Sequence, residues 1–132
     1  MPTPRKALIW IGILAGVFLL GFLPQFSTAR GLRQEAALCH TKLQLAALKK
    51  GIGLVYLEAN QKNYGIAAQQ ASGFFETARQ TLARTSASGQ QTVIQEALSK
   101  RDAITAGLAR GDAGVIAVIQ SVYGNVLRNL PD

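Results

Sequence analysis

The sequence predicts an all-α protein, with one N-terminal transmembrane helix followed by a small four-helix domain built as two hairpins. Three observations support this prediction. Residues 7–23 form an uncharged apolar run, apolar residues after it recur at helical spacing, and no segment has the two-residue alternation of a strand. Hydrophobic residues make up 48% of the 132 residues and charged residues only 16%, which excludes an intrinsically disordered chain.

A short basic tail, residues 1–6, precedes the apolar run 7–23. As a helix this run spans about 25 Å, near the short end for a ~30 Å hydrocarbon core. A secretory signal peptide would share the basic start and could be cleaved near residues 27–29, but its apolar stretch is usually only ~7–15 residues long. We therefore predict an uncleaved signal anchor.

Four residues are expected at the membrane interface, and they are Arg5, Lys6, Trp10 and Phe26. Further basic residues follow the run, so the charge asymmetry across it is small. A long domain follows the run, and long domains translocate largely regardless of charge. We therefore expect a cytoplasmic N-terminus and a periplasmic soluble domain.

Two glycines in the apolar run, Gly12 and Gly16, lie four residues apart. This spacing puts them on one helix face, where they allow a second helix backbone to approach closely. The pair therefore predicts packing against other membrane-protein subunits. Glycine is also common in membrane helices in general, so the pair is equally compatible with no contact.

The soluble domain, residues 24–132, is expected to contain four helices. Apolar spacing and turn residues place them at 29–62, 64–84, 90–110 and 112–130. In the first of these, a stalk helix, apolar residues follow a heptad pattern from Leu38 to Ala59. This seam fits either packing within the chain or a homodimer. Gly51 and Gly53 mark a kink, a break or a close packing contact in that helix.

Residues 52–75 combine a small and an aromatic residue on one helix, an Asn-aromatic turn and an alanine on the next helix. These residues are Gly53, Tyr56, Asn63, Tyr64 and Ala67. The pattern resembles a tetratricopeptide repeat, and residues 108–127 have a comparable Gly-Asp turn. The two turns are further apart than the family's period of about 34 residues, and the closing proline is missing. The resemblance implies helical-hairpin packing and protein–protein contact without catalysis.

The aromatic residues of the soluble helices are expected mainly in the core. Three of them, Tyr56, Tyr64 and Phe75, could also line a groove between hairpins that accepts a partner helix.

Neither a catalytic nor a metal site is predicted. The chain has one cysteine and one histidine, Cys39 and His40, which as helix neighbours point about 100° apart. The acidic residues are spread singly, and only Glu58 and Glu76 could face each other across a hairpin as an acid–base pair. Exposed helix acids are far commoner than such pairs. We therefore expect no enzyme activity and no cofactor.

The net charge of +7 is the main electrostatic feature. Its candidate surface comprises Lys49, Lys50, Lys100 and Arg101. These charges are dispersed and few aromatic residues lie among them, which argues against nucleic-acid binding. Anionic lipid headgroups or an acidic partner surface fit better, although a solvated basic surface without a ligand is equally expected.

These observations together predict a non-catalytic single-pass membrane protein. It would be an accessory or structural subunit that docks on and stabilises a larger membrane complex, for which respiratory and photosynthetic complexes are natural hosts. The alternative is a membrane-tethered, tetratricopeptide-like adaptor that binds a soluble protein or peptide.

Overall fold

The computed structural model describes the backbone from residue 4 to residue 132 and the side chains of residues 9–18 and 31–132. Five α-helices and no strand occupy this backbone. They are α1 (Pro4–Asn60), α2 (Tyr64–Arg84), α3 (Ser88–Ser99), α4 (Arg101–Arg110) and α5 (Val115–Asn129). The prediction of an all-α fold is therefore confirmed.

Within the described residues, no helix has a stretch that is both long and apolar enough to cross a membrane. Parts of the predicted transmembrane segment, residues 7–8 and 19–23, lie outside the described side chains. The same holds for three of the predicted interface residues, Arg5, Lys6 and Phe26.

A single helix, α1, covers both the predicted transmembrane segment and the predicted stalk helix. The sequence predicts a helix end at Pro24, but the backbone stays helical there. A proline removes one hydrogen bond from a helix, and the flanking bonds can maintain the helix around it. The chain nevertheless divides into two compact units, Met1–Cys39 and His40–Asp132.

The second unit is a helical bundle around one apolar core. Helix α2 packs on α3 and α4, and α5 packs on the same two helices. The largest fully buried apolar side chains of this core are Leu48, Ile52, Val55, Ile94, Ile104, Ile119 and Val126. Alanines such as Ala59, Ala67 and Ala71 are also buried, and their small side chains allow neighbouring helices to lie close together.

The heptad seam of the stalk helix packs within the chain. Five of its residues are buried in the bundle core, and they are Leu45, Leu48, Ile52, Val55 and Ala59. Gly51 lies against α2, since a Cβ atom at this position would be 3.5 Å from Cβ of Phe74. The glycine therefore marks a close helix contact, one of the options that the sequence leaves open.

The helix predicted over 90–110 is two helices in the structure, and the prediction of one helix was wrong. The break falls at Lys100, whose φ of −90° and ψ of −1° stay in the right-handed region but depart from regular α-helix values. Its N–H bonds to the carbonyls of Ala97 and Leu98, which tightens the last turn of α3. The Ser99 hydroxyl also donates to the Glu96 carbonyl at 2.6 Å, an alternative to the regular helical bonding of that carbonyl.

Helix α4 ends at Arg110 and is capped by Gly111, whose φ of +64° suits a residue without a Cβ atom. Helix α5 then begins at Val115, three residues later than the sequence predicts. The Asp112 carboxylate accepts a hydrogen bond from the Gly114 N–H at 2.8 Å, which forms a turn before the helix. The Gly-Asp pair therefore connects α4 to α5 as expected, but Asp112 does not cap the first turn of α5.

Candidate functional site

Tyr56, the first residue of the predicted partner groove, packs against α5. Its ring is stacked on the ring of Tyr123, with centroids 5.4 Å apart and planes inclined by 15°. Gly53 lies one turn earlier on α1, where a Cβ atom would be only 3.4 Å from Cε2 of Tyr123. The small residue at 53 therefore permits the close approach of Tyr123 to α1.

A shallow depression of about 480 Å³ lies beside this tyrosine pair. The residues that line it are Tyr56, Ala117, Gln120, Ser121, Tyr123, Gly124, Leu127 and Arg128. The guanidinium of Arg128 lies over Gly124, since a Cβ atom there would be 3.5 Å from its Nη1 atom. The depression thus joins an aromatic wall to one positive charge.

Phe75 lies in a second, smaller depression between α2 and α4, of about 200 Å³. Its other lining residues are Ser72, Glu76, Arg79, Arg101 and Thr105. The carboxylate of Glu76 pairs with Arg79, one helical turn away, and accepts a hydrogen bond from Gln80 at 3.0 Å. These two partners, Arg79 first, hold the pKa of Glu76 below its ordinary value. The Glu76 carboxylate therefore offsets the Arg79 charge in this depression.

Tyr64 lies at a third place, at the start of α2. Its ring faces the turn between α4 and α5, where a Cβ atom on Gly111 would be 3.5 Å from its Cδ2 atom. Tyr56 and Phe75 line different depressions, and Tyr64 lines neither of them. The structure thus places the three predicted groove residues at separate sites.

The acidic residues considered for catalysis each have their own local partner. Glu58 accepts a hydrogen bond from the Asn63 side chain at 2.9 Å, while Glu76 is held by Arg79 and Gln80. Among the described residues, no three side chains of the types that bind metals are grouped together. Cys39 and His40 are both exposed.

The four residues of the predicted basic surface have different environments. Lys49 is only 16% exposed, and its Nζ atom lies 2.6 Å from Oδ1 of Asp132. Lys50 is exposed and forms no ion pair with the residues described here. Lys100 lies at the helix break, and Arg101 lies 3.9 Å from the Asp102 carboxylate.

The Lys49–Asp132 pair predicts a specific pH dependence. The hydrogen bond from Lys49, together with the attraction of its charge, holds the pKa of Asp132 below its ordinary value. Stability from this pair is therefore present above the ordinary pKa of about 3.9 and is lost as the pH falls through the lower folded-state value. We expect Asp132→Asn to lower stability at neutral pH and to approach the wild type as the pH falls through the folded-state pKa of Asp132. Urea unfolding at several pH values tests this prediction. A stability difference between the variant and the wild type that stays constant down to acidic pH would contradict it.

The surface of α1 off the heptad seam carries Leu43, Leu54 and Leu57, which the sequence predicts to widen the apolar face of this helix. We call it the outward face of α1 and define it by Leu43, Ala47, Lys50, Leu54 and Leu57. Leu43 is 64% exposed and Leu57 is 50% exposed, although both are large apolar residues. In the structure Leu54 is half-buried, while the bundle leaves Leu43, Lys50 and Leu57 exposed.

In the first unit, the predicted packing residues Gly12 and Gly16 have open space beside them. A Cβ atom at either position would meet no atom within 4 Å. Trp10, predicted at the membrane interface, is 67% exposed.

Comparison with known proteins gives no relative for this chain. No protein-family model, curated protein or solved structure matches it.

Proposed function

We propose that this protein is a non-catalytic, single-pass membrane subunit that docks on a larger membrane complex and stabilises it. The observation that carries this proposal is the uncovered apolar surface of α1 between residues 9 and 18. Seven large apolar side chains there are 55–69% exposed, and they are Ile9, Trp10, Ile11, Ile13, Leu14, Val17 and Phe18.

The free energy gained when these side chains are buried supports a membrane or subunit environment. Burial of one such side chain is worth about 1.5–3 kcal/mol relative to its exposure to water. Residues 9–18 account for about 15 Å of helix. In the sequence the uncharged run extends from 7 to 23, which brings its length close to that of a short transmembrane helix. Lipid together with neighbouring subunits would then cover this surface.

The environment of the acidic groups supports a role without catalysis. Enzymes commonly bring titratable groups together in a cleft, where their pKa values are perturbed. Here Glu58 and Glu76 have separate local partners, and the pKa of Glu76 is lowered by an exposed ion pair. This pattern is typical of surface acids on helices.

Membrane orientation and surroundings follow from the same proposal. The N-terminus lies in the cytoplasm and the bundle in the periplasm, and respiratory or photosynthetic complexes are natural hosts. Basic residues such as Lys50 and Lys100 would face anionic lipid headgroups or an acidic subunit. We favour this role over a tethered adaptor because the adaptor's groove residues, Tyr56, Tyr64 and Phe75, lie at separate sites.

Purification of the tagged full-length protein from its native membrane in mild detergent tests the proposal. We expect a stoichiometric set of membrane subunits to co-migrate with it on a native gel. Gly16→Leu should reduce this recovery at least about tenfold, because a bulky side chain blocks close helix approach. The variant should leave the bundle intact, since the space beside Gly16 is open.

Gly31→Leu is the matched control for this experiment. Gly31 is also a helical glycine of α1 with open space beside it, but it lies outside the apolar run. Its recovery of subunits should equal that of the wild type. Recovery of the wild-type protein alone, or with soluble proteins only, would refute the proposed function.

A further inference from the structure

We propose that the outward face of α1 binds an apolar helix of a partner protein that carries a carboxylate at the centre of its contact face. The inference rests on the proposed docking function and names the chemistry of the partner. It concerns only residues of the bundle, from Leu43 to Leu57.

The apolar residues of this face have the spacing of a helix-docking surface. Leu54 and Leu57 follow Leu43 by eleven and fourteen residues, which puts all three on one side of α1. This side lies roughly opposite the buried residues Leu48 and Ile52. From residue 43 to residue 57 the face is about 21 Å long, enough for four turns of a partner helix.

Lys50 specifies the charge of the partner. It lies seven residues from both Leu43 and Leu57, at the midpoint of the face. It has no ion pair with the described part of the chain, whereas its neighbour Lys49 is held by Asp132. A partner helix on this face would place a carboxylate opposite Lys50, between the two exposed leucines at the ends of the face. Contact would remove both charges partly from water, which strengthens their attraction.

A second copy of this chain is a poor occupant for the same face. Because Lys50 is at the midpoint, two copies would bring their Lys50 ammonium groups together in both the parallel and the antiparallel arrangement. This repulsion adds to the general repulsion between two chains that each carry a net charge of +7. The charge therefore favours a different, acidic partner helix.

Synthetic helical peptides can test this inference directly. Three fluorescent peptides would present leucines at heptad spacing and differ only at the central position, which is Glu, Gln or Lys. Their binding to the full-length chain in neutral-lipid nanodiscs is measured by fluorescence anisotropy, with empty nanodiscs as blank. We expect the Glu peptide to bind about tenfold more tightly than the Lys peptide. The variant Lys50→Glu should reverse this order.

Two control variants distinguish binding at this surface from general effects of charge and of exposed apolar residues. Lys42→Glu makes the same charge change on α1 but lies about 80° around the helix from Lys50, so the Glu peptide should still bind more tightly. Leu57→Ser should weaken the binding of all three peptides. Ile66→Ser, at an exposed apolar residue of α2, should leave their binding unchanged. Absence of binding above the blank, or an unchanged peptide order in Lys50→Glu, would overturn the inference. The assay uses no native membrane, so its failure would leave the co-purification result and the proposed function standing.

Discussion

Replacement of Ile52 by alanine should lower the free energy of unfolding of the bundle by about 2–5 kcal/mol. Ile52 has 0% exposure and lies in the core beside Leu48 and Val55. The substitution removes buried apolar atoms and leaves a cavity that the surrounding helices fill only partly. Urea unfolding of the full-length chain in detergent micelles, followed by circular dichroism at 222 nm, measures the loss.

Leu57→Ala is the matched control, because Leu57 lies on the same helix but is half exposed. This control should lower the free energy of unfolding by under about 1 kcal/mol, as substitutions at the surface usually do. Equal losses for Ile52→Ala and Leu57→Ala would show that the side of α1 assigned to the core is wrong.

Gly107→Ala should destabilise the bundle by about 1–3 kcal/mol, although alanine is a better helix former than glycine. Gly107 is buried in α4, and a Cβ atom there would lie 2.6 Å from Cγ2 and 2.7 Å from Cβ of Val115. Both distances are far below van der Waals contact, so α4 and α5 would have to move apart. The cost of this movement should exceed the gain of about 1 kcal/mol in helix propensity.

Gly73→Ala should have the opposite effect on stability in a similar helical setting. Gly73 is exposed in the middle of α2, and a Cβ atom there would meet nothing within 4 Å. This variant should be stabilised by about 0.4–1 kcal/mol. Thermal unfolding of both variants measures the contrast. A stabilised Gly107→Ala protein would contradict the close contact between α4 and α5.

The sequence predicts the all-α fold well because apolar spacing is a local property of the chain. The heptad positions from Leu45 to Ala59 form the core face of α1, and the turn around Lys62 falls where polar residues and glycine indicate it. The break at Lys100 could not be predicted in the same way. Apolar residues continue at helical spacing on both sides of Lys100, and only the hydrogen bonds of Ser99 and Lys100 distinguish two helices from one.

The candidate surfaces were harder to predict than the helices. Tyr56 was singled out by its residue type, but its partner is Tyr123, sixty-seven residues later in the chain. Which helices become neighbours depends on packing between distant segments, which spacing within one helix does not specify. The exposed state of Leu43 and Leu57 likewise depends on where α2–α5 lie around α1.

The composition of the bundle core has a consequence for its chemistry under oxidative conditions. The core consists of aliphatic and phenylalanine side chains. The one cysteine, Cys39, is exposed, and the one methionine is Met1. Oxidation of methionine to a polar sulfoxide, or of a buried thiol, disrupts the interior of many proteins. Residues 40–132, which form the bundle, contain no cysteine and no methionine, so neither reaction has a target among them.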